Sequence, residues 1–393
     1  MRARPYTDLE AGVNLSAHLL SALARLGGIP DREVTEGVRR LSTLFTVGRD
    51  ALQGDYLAEP VLRRAYLLYF LPVNLAKVAM LLGELPPLPA RPLRVLDVGS
   101  GPGVGACAVL DYLMRRRDPA QDGSQVVAAD RSRGALHDAE ALWSLIAPVR
   151  PGPPSSAFHP VTLDLERPGS KAPWKDATFE LILAGNCLNE LFRSAVDPIV
   201  RRARLLEQFL EALAPDGTLM VVEPALRETA RALHQVRDRI VARGAATVYS
   251  PCLHERPCPA LVHPDDWCHE ERPWMPPAVV REIDQAVGFI KDALKFSYLL
   301  LRKDGRTIAD RGPTVYRVVS DVMVMKGERR AWLCNEASRQ LVGRLDRART
   351  ERNAAFETWH RGALVRVDQI ERRGSVGRIV GTATAELVRP VTS

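Results

Sequence analysis

The chain has 393 residues, 46% of them apolar, enough to bury a substantial core in one large domain or in two to three modules. Lys and Arg number 54 against 47 Asp and Glu, and the excess of +7 suits an RNA or phosphate partner without demonstrating one, since an Arg-rich, Ala-rich chain also follows from a GC-rich genome. No apolar run reaches the roughly 18 residues that span a bilayer, and the opening MRARPYTDLEAGVNLSAHLL lacks the hydrophobic stretch and cleavage site of a signal peptide, so a cytoplasmic, bacterial protein with no membrane partner is expected.

Residues 6–85 read as helical, because apolar side chains recur at spacings of three and four in VNLSAHLLSALARL and in VLRRAYLLYFLPVNLAKVAMLLGEL. The prolines of ELPPLPARP cannot continue a helix and mark a linker. From Leu93 short apolar strands alternate with helices: LRVLDVG, VGACAVLDYLMRR, QVVAAD, RGALHDAEALWSLIAP, HPVTLDL, FELILAG, VRRARLLEQFLEALAPDG and TLMVVEP. That alternation predicts an α/β fold, a Rossmann-like parallel sheet with helices on both faces. LRETARALHQVRDRIVARG adds a helix, and AATVYSPC and KFSYLLLRK are the last two strands of this part. Beyond Gly312 the pattern is strand-like and basic. The expected domains are an N-terminal helical region (1–90), an α/β domain with a cysteine-rich insertion near 250–275 (91–312) and a small β-rich extension (313–393).

VLDVGSGPGVGACAVL carries the most specific signal. A strand ends at Asp97 and turns through Gly99, Ser100, Gly101 and Gly103 into a helix; the glycines let a ligand approach the backbone, and the helix start offers free N–H groups. The motif resembles the cofactor loop of class I S-adenosylmethionine (SAM) methyltransferases. The resemblance implies that Asp130, at the tip of the second strand, meets the ribose hydroxyls, that Asp164 lies on the adenine side, and that Asn186 and Asn189 of GNCLNEL face the reactive end. No catalytic residue is identified. GNCLNEL lacks the Asp/Asn-Pro-Pro-aromatic pattern of many amine methylases, and Cys187 lacks the proline that precedes a cytosine-5 nucleophile, so Cys187 and Cys107 read as packed apolar residues.

SPCLHERPCPALVHPDDWCHEERPW holds three of the six cysteines in a proline-broken loop. Disulfides are rare in the cytosol, so Cys252, Cys258 and Cys268 read as metal ligands, with Cys334 of AWLCNE able to complete a set of four thiolates for zinc or an iron–sulfur cluster. His254, His263 and His269 are alternative ligands. PCLHERPCP, DWCHEERPW and KFSYLLLRK, with AYLLYFLPVNLAKVAMLL more loosely upstream, resemble the methyltransferase-like assembly factors of the mitochondrial small ribosomal subunit and their bacterial relatives, although Leu253 stands where a proline is usual. The resemblance implies a 4Fe-4S cluster on Cys252, Cys258, Cys268 and Cys334. It also implies the small ribosomal subunit and its rRNA as partner, not DNA. Trp332, Phe356, Trp359 and His360, interleaved with arginines, are the expected base-stacking groups. Two functions stay open: an rRNA methyltransferase, or a non-catalytic assembly factor that keeps the cofactor fold. A zinc-bearing methyltransferase for another substrate is a third.

Overall fold

A computed structural model describes residues 15–49, 54–147, 156–169 and 172–391 of the protein; the part of the helical reading that covers residues 6–14 lies outside them. Its two compact units interleave in sequence. One comprises Met1–Glu223 and Pro273–Leu294, the other Pro224–Arg272 and Lys295–Thr392.

The first unit opens with α1 (Ala17–Gly27), whose N-cap Ser16 accepts from Leu19 N at 3.1 Å, and α2 (Arg32–Phe45), capped by Asp31 on Val34 N at 2.9 Å. α3 (Pro60–Ala65) runs through one wide turn, Tyr66–Phe70, into α4 (Leu71–Glu84). Pro72 accounts for that turn: it has no N–H, and its ring crowds the carbonyl one turn back. The whole helix Pro60–Glu84 has 25 residues and is apolar enough by composition to cross a membrane, which corrects the reading that no segment is; 94% of its apolar window is buried inside the fold, as in a core helix.

A parallel sheet follows. β1 (Arg94–Val98), α5 (Val104–Arg116), β2 (Ser124–Asp130), α6 (Arg133–Ile146), β3 (Ser156–Thr162), β4 (Phe179–Gly185), α7 (Pro198–Glu211) and β5 (Leu213–Pro224) alternate as the sequence predicts. The strands lie in the order β3-β2-β1-β4-β5, all parallel. Chain direction across the sheet reverses between β1 and β4, and the carboxyl ends of such neighbours are where open α/β sheets bind ligands. Their interiors, Val95, Leu96, Ile182 and Leu219 among them, are buried on both faces.

The second unit holds α8 (Arg227–Ala242), β6 (Thr247–Ser250), β7 (Glu270–Pro273) and β8 (Ala293–Arg302), with β6 antiparallel to β8. A separate sheet contains β9 (Val315–Val318), β10 (Met323–Met325), β11 (Glu328–Cys334), β12 (Arg339–Leu345), β13 (Leu364–Val367), β14 (Glu371–Arg373), β15 (Val376–Arg378) and β16 (Ala385–Arg389). Its order is β14-β15-β12-β11-β9-β13-β16, with β10 on β11. The core of this sheet is Val318, Leu333, Val342, Val365, Phe356 and Trp359.

Candidate functional site

The glycine loop is fastened from below by two acids. Gly99, Gly101 and Gly103 have φ of 64°, 53° and 89°, a left-handed run that side chains resist. Asp97, 2% exposed, accepts from Ser100 Oγ at 2.7 Å and Ala106 N at 2.8 Å. A Cβ on Gly105 would stand 2.4 Å from Asp97 Oδ1, so the helix can start over this carboxylate only with glycine there. Asp130 accepts from Gly101 N and Ser132 N, both at 2.8 Å. Gly99 N and Ser100 N donate to Ala129 O at 2.8 and 3.2 Å, tying the loop to the end of β2.

The end of β4 meets this loop. Asn186 has φ of 56° and donates its N–H to Val222 O at 2.7 Å. Cys187 packs on Gly99 and its thiol points at Val98 O, 3.4 Å away. Asp97, Gly99, Ser100, Gly101, Gly103, Asp130 and Asn186 are thereby brought to one place. Asp164 lies just beyond β3, whose end is joined to β2 through Leu163 N and Asp130 O at 2.9 Å; it is exposed, and its Oδ1 accepts from Glu166 N at 2.9 Å in a local turn.

Further residues of this unit, not singled out by sequence, complete the locale. Glu223 at the end of β5 accepts from Asn189 N at 3.2 Å. Glu190 accepts from Tyr56 Oη at 3.3 Å. Arg49 donates to Asn189 Oδ1, and Arg202 to Asn189 O and Leu191 O, both at 3.0 Å. Lys77 Nζ donates to Asn74 Oδ1 at 3.0 Å, and Asn74 Nδ2 to Tyr66 Oη at 3.1 Å. Burial raises the carboxyl groups, Asp97 to about 6, Glu190 to about 7 and Glu223 to about 8, and lowers Lys77 to about 7. Burial, then the charges of Glu223 and Glu190, lift the Cys187 thiol well above its ordinary range, so it is not a thiolate nucleophile. Glu223 did leave a signal, because it ends the apolar run LMVVEP as Asp97 and Asp130 end theirs.

Cys252, Cys258, Cys268 and Cys334 all belong to the second unit. Cys258 is buried, while Cys252, Cys268 and, at the end of β11, Cys334 are half-buried and free of disulfides. Burial and then the charges of Cys268, Cys252 and Cys258 raise Cys334, so the four thiols share one electrostatic neighbourhood. α8 holds their loop. Arg231 Nη1 donates to the carbonyls of Ala260, His263 and Asp266 at 3.0, 2.7 and 2.6 Å, and the fully buried Arg237 donates to those of His254 and Arg256. Between them His234, 2% exposed, donates from Nε2 to Cys268 O at 3.1 Å, while Nδ1 has no hydrogen-bond partner among the described residues. His254 Nε2 stands 3.8 Å from Cys334 Sγ, His263 is exposed, and His269 stacks on Trp267 with centroids 5.8 Å apart. Among the described residues no group of three or more His, Cys, Asp or Glu is arranged to hold a metal ion.

The base-stacking expectation fails for two aromatics. Phe356 and Trp359 are 0% and 1% exposed, pack edge to face at 4.7 Å, and form the core of the β-rich sheet. Trp332 is half-buried beneath the Arg339 guanidinium, 5.1 Å from its ring centre, and His360 is half-buried. Arg347, Arg352 and Arg372 are exposed and make no ion pair among the described residues.

Strand order, glycine loop and paired acids define a class I methyltransferase fold. A family model described as "Mitochondrial small ribosomal subunit Rsm22" matches residues 61–347, and the chain belongs to that methyltransferase-like family. No curated protein matches the chain. Among solved structures, the plantazolicin methyltransferase BpumL in complex with SAH is 14% identical over 72% of this chain and 95% of its own, with a TM-score of 0.32. Magnesium protoporphyrin IX methyltransferase from Synechocystis PCC 6803 is 11% identical over 68% and 97%, with a TM-score of 0.33. Likeness at that level carries no argument, and the fold assignment stands on the chain's own strand order.

Proposed function

We propose that the protein binds SAM at the glycine-loop cleft and acts on the small ribosomal subunit in the cytoplasm, with rRNA as its contact. The observation that carries this reading is the fastening of Gly99–Gly103 by Asp97 and Asp130 in a chain whose family match spans both the loop and the cysteines. The cofactor would supply an electrophilic methyl on a sulfonium. In this reading Asp130, at the tip of β2, would accept from the ribose hydroxyls, and Asn186 would meet the amino-acid end. Because the Cys187 thiol is held protonated, any acceptor must bring its own nitrogen or oxygen lone pair, and Glu190, raised to about 7, is the carboxylate available to take its proton.

The same reading gives the thiols of Cys252, Cys258, Cys268 and Cys334 a 4Fe-4S cluster. What supports this is the chemistry of the donors: four free thiols in one unit, three of them on the loop whose carbonyls Arg231 and Arg237 hold, with Cys258 kept below its ordinary range because His234 outweighs burial. The cluster would anchor the loop that meets the subunit, and Arg347, Arg352 and Arg372 would meet phosphates.

Catalysis is tested by incubating the protein with labelled SAM and small subunits from a strain lacking it. Label in 16S-type rRNA supports transfer. Tight SAM binding with no label supports the assembly-factor reading instead.

A further inference from the structure

The glycine loop is roofed by a piece of the helical region. A single 3₁₀ turn, Tyr56–Ala58, lies over it: a Cβ placed on Gly101 would stand 3.8 Å from Leu57 Cδ1, at contact distance. Leu57 is 6% exposed, and Gly101, Pro102 and Gly103 beneath it are buried. Backbone that the motif offers to a ligand is thus covered by an apolar side chain.

One guanidinium fastens the turn. Arg63 Nη1 donates to Leu57 O and Ala58 O, both at 2.8 Å, and Nε to Asp138 Oδ2 of α6 at 3.1 Å. Gly134 of α6 leaves room for it, since a Cβ there would stand 2.8 Å from Arg63 Nη1 and 2.9 Å from Cζ. Tyr56 Oη donates to Glu190 Oε1 at 3.3 Å, the Tyr56 ring meets Phe45 edge to face at 5.5 Å, and Arg131 donates to Gly54 O. The cover is apolar where it touches the loop and polar where it is held. A segment held by a few hydrogen bonds near the surface opens locally while the rest of the fold stays intact.

We propose that Tyr56–Ala58 is a strap over the cofactor loop, with Leu57 its cover and Arg63 its latch, and that the loop's ligand enters and leaves only when the strap lifts. The inference rests on the reading of this loop as a SAM site. The latch bonds join protein groups to each other, so they set how fast the ligand exchanges more than how tightly it is held.

The test uses the full chain as wild type, Arg63→Ala and Gly134→Ala. Alanine at 134 favours the helix and displaces only the far end of Arg63, so at least one variant folds. Hydrogen exchange of the protein alone reports the roof without a ligand: amides of residues 54–58 and 99–103 should exchange at least about fivefold faster in both variants. Exchange of labelled SAM, followed by rapid filtration, reports the gate: association and dissociation should each quicken at least about fivefold, with Kd within about threefold of wild type. Loop amides that exchange at the wild-type rate in both variants overturn the proposal. Faster loop amides with unchanged SAM rates also overturn it, because the ligand then passes by another route. Wild type that binds no SAM removes the cofactor reading, and the gate with it, whatever the amides show.

Discussion

Cys187 lies directly on Gly99: a Cβ built on that glycine would stand 2.3 Å from Cys187 Cβ and 2.8 Å from its sulfur. The contact joins the end of β4 to the glycine loop, and φ at Gly99 is 64°. Gly99→Ala therefore meets both a clash and a backbone penalty and is expected to destabilise the protein by at least about 2 kcal/mol in urea titrations and to abolish SAM binding. Adding Cys187→Gly should recover the part due to the clash and leave the backbone part. Full recovery would mean that the left-handed turn costs nothing here.

The carboxyl groups of the cleft make both binding and stability depend on pH. Ionised acids attract the sulfonium better, so SAM affinity should rise from about pH 6 to about pH 8.5, with protons released on binding. In the free protein Asp97, Glu190 and Glu223 are raised to about 6, 7 and 8, above their unfolded values near 4, so their contribution is complete below about pH 4 and lost as pH climbs through those values. Lys77, lowered to about 7, acts in the opposite sense and adds stability only above that pH. Thermal melts of the apo protein should fall between about pH 5 and 7, and Glu223→Gln should flatten the fall. An unchanged slope in that variant would show that Glu223 is ionised in the folded state.

Arg237 illustrates a residue whose sequence context misleads. It sits in a basic helix yet is fully buried and holds the carbonyls of His254 and Arg256, with Asp238 as its ion partner at 2.6 Å. Arg237→Ala strands those groups and is expected to cost about 2–4 kcal/mol. Arg237→Lys should not restore it, since one ammonium cannot reach both carbonyls and Asp238 with the same fork. Chemical denaturation of the three proteins checks the order.

Much of the first unit was legible because its chemistry is local. A strand, a glycine run and an acid at the strand tip are neighbours in sequence, so Asp97, Gly99–Gly103 and Asp130 announce themselves. The second unit was less legible because its contacts join distant segments. Phe356 and Trp359 lie in the polar stretch RARTERNAAFETWHRG, which has no strand or α-helical period; it forms a 3₁₀ helix, Glu351–Thr358, and Phe356 within it and Trp359 just after it fill the sheet's core. Arg344 is buried against Phe356, at 5.7 Å from its ring centre, where composition alone suggests a solvated base. Glu190 escaped notice because burial, not spacing, is what makes it unusual.

The same distinction separates two sets of variants. Trp359→Ala opens a cavity in the β-rich core and is expected to cost about 3–5 kcal/mol. Arg347→Glu, Arg352→Glu and Arg372→Glu together touch exposed side chains, so stability should be unchanged while affinity for rRNA fragments drops and its salt dependence becomes shallower. Affinity and salt slope equal to wild type would remove this surface from the rRNA contact.

The most direct measurement counts iron and acid-labile sulfide per chain in protein purified without oxygen, for wild type and for Cys334→Ser. The account predicts about four of each with broad absorbance near roughly 400 nm in wild type, and a loss of most of the iron in the variant. Wild-type protein that is colourless and holds only zinc, or a variant that keeps its full iron, would contradict it.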